Sequence, residues 1–501
     1  MGNLNKGTGE SFLRNFSIRA KVWSLLTLCC TLAAAADGQS RTADLPSAPE
    51  PNNILSTKLP GGVTVAQATP GALPLSLDEA IDRGLQHNLQ LLLARQNQRM
   101  VHGQVLTVAN NLLPSISAEA YTRTQQINLA AMGFKPESLG ALLDQFGLPP
   151  GAFSTIVKVD TTAARLNVDQ QLFNVPAYFL YRAAQKADTV ASMTTLNAEG
   201  TVVLNVGTQY LLALADASQI ENAKELAKAD EVVLQQATAS HDAGVGTNLD
   251  VLRARVQLQT QQQTVINAEN TFAKDKIALN RLIGLPAGQE LTLTDKTPFA
   301  EFSQLPLDQA KALAYARRKD LLSLEAQREV AERTQKAVKY ERLPTLSFGG
   351  HYGVLGETRG LYHGEFSAMG SLKIPIFQEA RLRGEREVAD AQVQALERQI
   401  TSLRVTIEQQ IRSAMLDVQS SGQLVKVAQS NVDLATQVLQ QATDRFQAGV
   451  SDNLPVVEAQ ASLADAQAKL VQTLYQYNQS KLILARNTGV VETQYKLYLG
   501  R

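Results

Sequence analysis

One segment of this chain occurs twice. Ala243-Gly244-Val245-Gly246-Thr247-Asn248-Leu249-Asp250-Val251 returns 205 residues later as Ala448-Gly449-Val450-Ser451-Asp452-Asn453-Leu454-Pro455-Val456. Gly284 and Gly489 keep that offset, and Phe173 and Phe377 keep it to within one residue. Earlier, Leu113-Pro114 matches Leu343-Pro344 at an offset of 230. A repeat of this length implies a duplicated architecture, so any fold must be built from two similar halves.

Each half opens with a helical pattern, over about 77–112 and about 307–342, and each pattern stops at a proline that cannot donate into a continuing helix. Behind the prolines the apolar period changes to two. Ile116, Ala118 and Ala120 alternate with Ser117, Glu119 and Tyr121, and Leu346, Phe348, Gly350 and Tyr352 alternate with Ser347, Gly349 and His351. The alternation returns at Ala164, Leu166 and Val168, and again at Phe366, Ala368, Leu372 and Ile374. This predicts four strands of about ten residues, a length that suits a tilted membrane crossing. A soluble antiparallel sheet with one wet face is the alternative. Between the strands, a Gly- and Pro-rich insert at 127–159 faces a short loop at about 355–365 and accounts for the change of offset.

Two long helices follow, over about 177–242 and about 379–448, neither with an interior proline. At about 1.5 Å per residue each is roughly 100 Å long. After each Gly turn comes a heptad series: Val251, Leu258, Val265, Phe272 and Leu279 in one half, Val456, Leu463, Leu470, Tyr477 and Leu484 in the other. Ala254, Ala268, Ala459 and Ala466 add small residues three positions on. Such spacing implies coiled-coil packing. Two short helices placed end to end match one long helix, so each half predicts a two-helix-wide rod with a β-hairpin at one end and a Gly turn at the other. A chain rich in Ala, Gln and Leu, with only 5% aromatic residues, fits long helices.

The N-terminus reads as an address. Lys6, Arg14, Arg19 and Lys21 precede an apolar stretch from Val22 to Leu32, and Ala34-Ala35-Ala36 offers a cleavage site. The two cysteines, Cys29 and Cys30, lie inside it, and Leu28 stands where lipidation of Cys29 would need a small residue. The predicted organisation is a signal peptide at 1–36, a flexible leader at 37–74, a first repeat at 75–288 with its hairpin at 114–173 and tip at 243–248, an equatorial linker at 289–306, a second repeat at 307–490 with its hairpin at 344–377 and tip at 448–453, and a tail at 491–501. Zero formal net charge leaves no basic footprint for nucleic acid. No sequence motif for a metal, a phosphate-binding loop or a catalytic nucleophile is present, so no catalytic residue, cofactor or enzyme activity is expected. His87, His102, His241, His351 and His363 are scattered, and His351 and His363 are expected in solvated positions near a barrel rim.

Four strands cannot close on themselves, and an open edge is not tolerated in lipid, so strands that cross a membrane require several chains to share one barrel. Over about 75–490 the chain resembles the TolC-type outer membrane factors, the outer membrane efflux protein family, through the duplicated helix–hairpin–long helix pattern and the two tip motifs. The resemblance implies a mainly α fold with a membrane β-barrel. Three chains would form a 12-stranded barrel and a 12-helix periplasmic tunnel. It implies a passive outer membrane exit duct that works with a periplasmic adaptor (membrane fusion) protein and an inner membrane RND or ABC transporter, for efflux or type I secretion. A periplasmic coiled-coil structural or adaptor protein is the rival class; it explains the heptads but not the signal peptide or the four strands.

The resemblance also assigns roles at the tips. Asp250 matches an acidic gate position, Phe446 its aromatic partner, and Glu458 an acidic residue that rings a constriction, where three carboxylates would favour cations. Ser451 stands where an Arg latch occurs in the family, and Pro455 replaces a second acidic position, so Asp452 and Arg253 are the candidate substitutes. A helix-start carboxylate for Asp250 and a solvated face for Glu458 stay open as purely structural roles. Gly244, Gly246, Thr247, Leu249, Gly449, Leu454 and Val456 mark the expected adaptor-docking tips. The glycines there would supply turn geometry, and the apolar residues, with Val251, would pack on the adaptor or within the coil.

Overall fold

The computed structural model describes residues 62, 70–132, 147, 155–296, 299–303 and 305–500. The expected signal peptide, Cys29 and Cys30, most of the leader and most of the 127–159 insert lie outside them. The molecule is mainly helical. In the first half, α1 (Leu77–His87) and α2 (Leu89–Ala109) lead to strands β2 (Ser115–Asn128) and β3 (Ile156–Phe173), the long helix α3 (Val175–Asp242) and α4 (Asn248–Leu282). The second half repeats this as α5 (Leu307–Arg317), α6 (Lys319–Lys339), β5 (Thr345–Glu357), β6 (Tyr362–Lys373), α7 (Glu379–Gln447) and α8 (Leu454–Asn487), with α9 (Val491–Leu499) closing the series.

The opening helix of each half is broken where the sequence predicts continuity. Asn88 adopts an extended backbone, and its side-chain oxygen accepts from Gln90 N and Leu91 N, so it stops α1 and caps α2. Arg318 makes the same break between α5 and α6. Its guanidinium is fixed by Asp320 at 2.6 Å and donates to Gln410 Oε1 at 2.7 Å on α7. The strands run to 14, 18, 13 and 12 residues, longer than the expected ten. His351 is not in a rim loop: it sits mid-strand in β5, 3.3 Å from Glu365. The expected tail at 491–501 holds α9, which buries Val491, Tyr495, Tyr498 and Leu499.

α2 and α4 lie one beyond the other along α3, and α6 and α8 do the same along α7. The halves do not stand as separate rods, however. α3 also packs on α6 and α8, so it is covered on both sides, whereas α7 is an outer helix. The four long strands form one antiparallel sheet in the order β2-β3-β5-β6, with β2 and β6 as open edges.

Halfway along, β1 (Leu73–Leu75) pairs in parallel with β4 (Leu291–Leu293), joining the end of the leader to the linker. Beneath this pair lies the largest apolar core, with Leu75, Leu77, Leu91, Tyr210, Leu279 and Ile283 among its fully buried members. Tyr210 Oη lies 3.0 Å from Leu75 O and 2.8 Å from an Asp295 carboxylate oxygen that also accepts from Leu77 N. α9 joins the belt through Tyr495 Oη and Lys496 Nζ, which both donate to Asp78, at 2.7 and 2.8 Å.

Candidate functional site

At the end of α3 the chain reverses through Gly244, whose φ of +75° is a conformation that L side chains rarely adopt. The N–H groups of Gly244, Val245 and Gly246 return to the carbonyls of His241 and Ser240, satisfying the helix end. Gly246 meets a different constraint: an added Cβ would lie 3.1 Å from His241 N. Gly449 repeats the reversal at φ +68°, with Val450 N bonded to Arg445 O.

α4 then begins with a full capping box. Thr247 Oγ1 accepts from Asp250 N at 3.2 Å, and Asp250 Oδ2 accepts from Thr247 N at 3.3 Å and Thr247 Oγ1 at 2.6 Å. Within one chain, then, Asp250 is buried and occupied as a helix-start carboxylate. Pro455 replaces it in the second copy, and α8 starts without a side-chain cap.

The two tips are tied to each other by side chains. Fully buried Asn453 donates from Nδ2 to Asp250 O at 2.7 Å. Beside it, Arg253 Nη1 lies 3.4 Å from Asp452 Oδ2 and 3.9 Å from Asp250 Oδ1. The structure thus brings Asp250, Arg253 and Asp452 together. Asn453 carries the shortest cross-tip bond, and no sequence motif marks that role. Ser451 Oγ makes no hydrogen bond among the described residues.

A small apolar cluster of Val233, Ala237, Val251, Ala254, Ala442, Val456 and Ala459 fills the space behind these contacts, with Phe446 packed at its margin. Val251 and Val456 therefore serve the coil, whereas Leu249 and Leu454 remain exposed with Val245 and Val450, the last two 83% and 68% open. Gly244, Gly449 and Thr247 lie on the same exposed turns, and Gly246 is half-covered. Glu458 faces solvent one turn into α8.

The sheet at the other end sorts its residues by face. On one side the paired rows read Ile116, Ala118, Ala120; Val168, Leu166, Ala164; Gly350, Tyr352, Val354; Ala368, Phe366, Gly364, all without charge. The other side carries Glu119, Arg165, His351 and Glu365. There Arg165 bridges to Glu365 at 2.8 Å, stacks on the Tyr121 ring at 5.4 Å, and leaves Glu119 to accept from Asn167 Nδ2 at 3.3 Å. On the first side, whose charges Asp160 and Lys158 come only beyond these rows, Phe366 and Tyr352 are 79% and 73% exposed within a single chain.

A family described as outer membrane efflux protein matches residues 80–285 and 312–490, one segment in each half. Among curated relatives, the pyoverdine export outer membrane protein OpmQ of Pseudomonas putida is 26% identical over 292 residues, covering 57% of this chain and 61% of that protein. That match spans less than two thirds of the relative's length. Outer membrane protein TolC of Escherichia coli is 22% identical over 381 residues, covering 72% of this chain and 77% of TolC. Alkaline protease secretion protein AprF of Pseudomonas aeruginosa is 23% identical over 356 residues, covering 68% and 72%. Among solved structures, the CmeC outer membrane channel of Campylobacter jejuni superposes with a TM-score of 0.69 at 15% identity, covering 83% of this chain and 86% of that one. The open MtrE channel of Neisseria gonorrhoeae gives 0.68 at 17% identity, covering 89% and 98%.

Proposed function

The chain belongs to the outer membrane efflux protein family, and from that membership we propose that three copies form the exit duct of a tripartite efflux or type I secretion system in the outer membrane. The β-sheets of three chains close into a 12-stranded barrel, and the helices extend as a 12-helix tunnel into the periplasm. The relatives are named for pyoverdine export and for alkaline protease secretion, so the reading covers small cargo and protein cargo alike. The duct is passive: an inner membrane RND or ABC transporter drives export, and a periplasmic adaptor joins it to the tunnel.

One observation carries this reading. The sheet has an exposed face whose central rows carry no charge, with Asp160 and Lys158 following only near the far end of β3, and it has two open edges. In water that face is an aggregation hazard; in lipid it is what a barrel exterior needs, provided other copies satisfy both edges. The helices carry the same incompleteness. α7 exposes Val388, Val405, Leu416, Val427, Leu434 and Val438, while the opposite edge exposes Leu93, Met100 and Leu106 on α2 and Val256 and Ile266 on α4. Unlike edges that meet head to tail generate a ring.

At the tunnel end, the Asp250–Arg253–Asp452–Asn453 group holds the two tips of each chain together and forms the periplasmic gate, with Phe446 behind it and Glu458 lining the entrance. Exposed Val245, Leu249, Val450 and Leu454 give the adaptor its apolar contacts. The test is reconstitution with capture. The purified protein should conduct in planar bilayers and migrate as a heat-sensitive trimer, and a photocrosslinker at Val245 or Val450 should trap a periplasmic adaptor in cells. A protein that fractionates with soluble periplasm and never conducts ends the duct reading.

A further inference from the structure

Along α3, Asp216, Ala223, Asp230 and Ala237 fall seven residues apart, on the row that faces α4 and α8. Ala223, Asp230 and Ala237 are all at most 2% exposed. In a coiled coil such positions belong to apolar residues, and a polar one lowers stability while fixing register. Asp230 therefore occupies a core place in the lower half of the long helix, and part-buried Asp216 stands on the same row. Among the described residues, neither forms an ion pair. Asp216 Oδ2 and both carboxyl oxygens of Asp230 are buried without a hydrogen-bond partner.

Their surroundings supply no cation to hold a negative charge, only the Gln257 amide beside Asp230. From α4, Asp275 faces Asp216, and its own carboxylate accepts from Gln209 Nε2 at 3.1 Å. From α8, Tyr475 faces Asp275 and Asp216, its hydroxyl held protonated by burial and then by those two carboxyl groups. Asp216 also borders a partly open cleft of about 170 Å³ that Leu212, Gln219, Val471, Gln472 and Tyr475 line. Burial, then the shared contact with Asp275, raises Asp216 to about 7. Burial raises Asp230 to about 6; the amide of Gln257 on α4 opposes this but does not offset it, and no charged neighbour contributes.

We propose that Asp216 and Asp230 make the α3–α4–α8 seam a proton-dependent lock, closed while both acids are protonated and loosened when they ionise, so that the tips part more readily as the periplasm turns from acidic to neutral. This rests on reading these helices as the tunnel wall. The sign follows from linkage. Both groups bind protons more tightly in the packed seam than in an opened one, so packing loses stability as pH rises from about 4. The loss ends near 6 for Asp230 and near 7 for Asp216.

Amide hydrogen exchange on the full-length protein in nanodiscs tests this. After correction for intrinsic chemistry, peptides from the lower half of α3, from α4 and from the start of α8 should exchange at least about tenfold faster at about pH 7.5 than at about pH 5. Asp216→Asn with Asp230→Asn should abolish the difference by keeping the seam protected at both pH values. Asp275→Asn should move the remaining transition to lower pH. If the Asp230→Asn variant does not fold, Asp216→Asn and Asp275→Asn still carry the comparison. A wild-type seam indifferent to pH, or an unchanged response in the variants, overturns the lock. Conductance measured on the same preparation is a separate readout: a pH-dependent seam in a protein that never conducts sinks the duct and leaves the lock.

Discussion

Asn453 and Arg253 tie the same two tips by different physics. The Asn453 amide is fully buried and bonds a backbone carbonyl, so its removal loses a hydrogen bond of about 0.5–1.5 kcal/mol and also leaves a void. The Arg253 side chain is one third exposed and its partner Asp452 more so, a pairing worth at most about 1 kcal/mol and screened by salt. Single-channel records should therefore rank the variants: Asn453→Ala should shorten closed dwell times more than Arg253→Met, and only the Arg253 effect should vanish in high salt. The reverse order would mean that the gate is electrostatic. Sequence reasoning reached Arg253 and Asp452 because the family's Arg is missing at Ser451, and charges advertise themselves. Asn453 gave no such signal, because nothing in a sequence shows an amide turned onto a neighbouring helix's backbone. The core acids of α3 could have been found from their seven-residue spacing with Ala223 and Ala237.

Helix starts and stops set the next scale. Thr247 and Asp250 close a reciprocal cap on α4, whereas α8 begins at Leu454 and Pro455 with no side chain capping it. Thr247→Val should cost about 1 kcal/mol of local stability, visible as faster amide exchange in the first turn of α4 with α8 unchanged. An equal response in both helices would show that the tips open as one unit. The long helices were legible because their interiors lack proline and their partners carry unbroken heptads. The breaks at Asn88 and Arg318 were not, since neither residue forbids a helix. Asn88 wins by offering its side chain to the next helix's amides, and Arg318 by reaching across to Asp320 and Gln410. Strand lengths were underestimated because the alternation fades into polar residues such as Thr124 and Gln126, while the backbone ladder continues to Asn128.

At the level of the whole molecule, duplication has not produced equivalent halves. α3 is enclosed and lined with small residues such as Ala183, Ala184, Gly200 and Gly207, whereas α7 keeps an apolar stripe open. That stripe is the surface on which the proposed ring depends. Val405→Arg with Leu416→Arg should leave a helical monomer and abolish the trimer band on native gels. A variant trimer of normal heat stability would place the subunit contact elsewhere. The repeat in the sequence announced two halves but not their merger along α3, because an internal offset is silent about which copy ends up inside.

The belt at mid-length has a consequence in time. Asp78 lies at the start of α1, yet it is held by Tyr495, 417 residues away, and by Lys496. Contacts across such spans are slow to form because a long loop must close before any contact rewards it. As the chain emerges, each helix pair can zip up locally, but the first helix waits for the last. Until α9 arrives, Val491, Tyr495, Tyr498 and Leu499 are missing from the core that also holds Leu75 and Leu77, an apolar seam that marks the protein as unfinished.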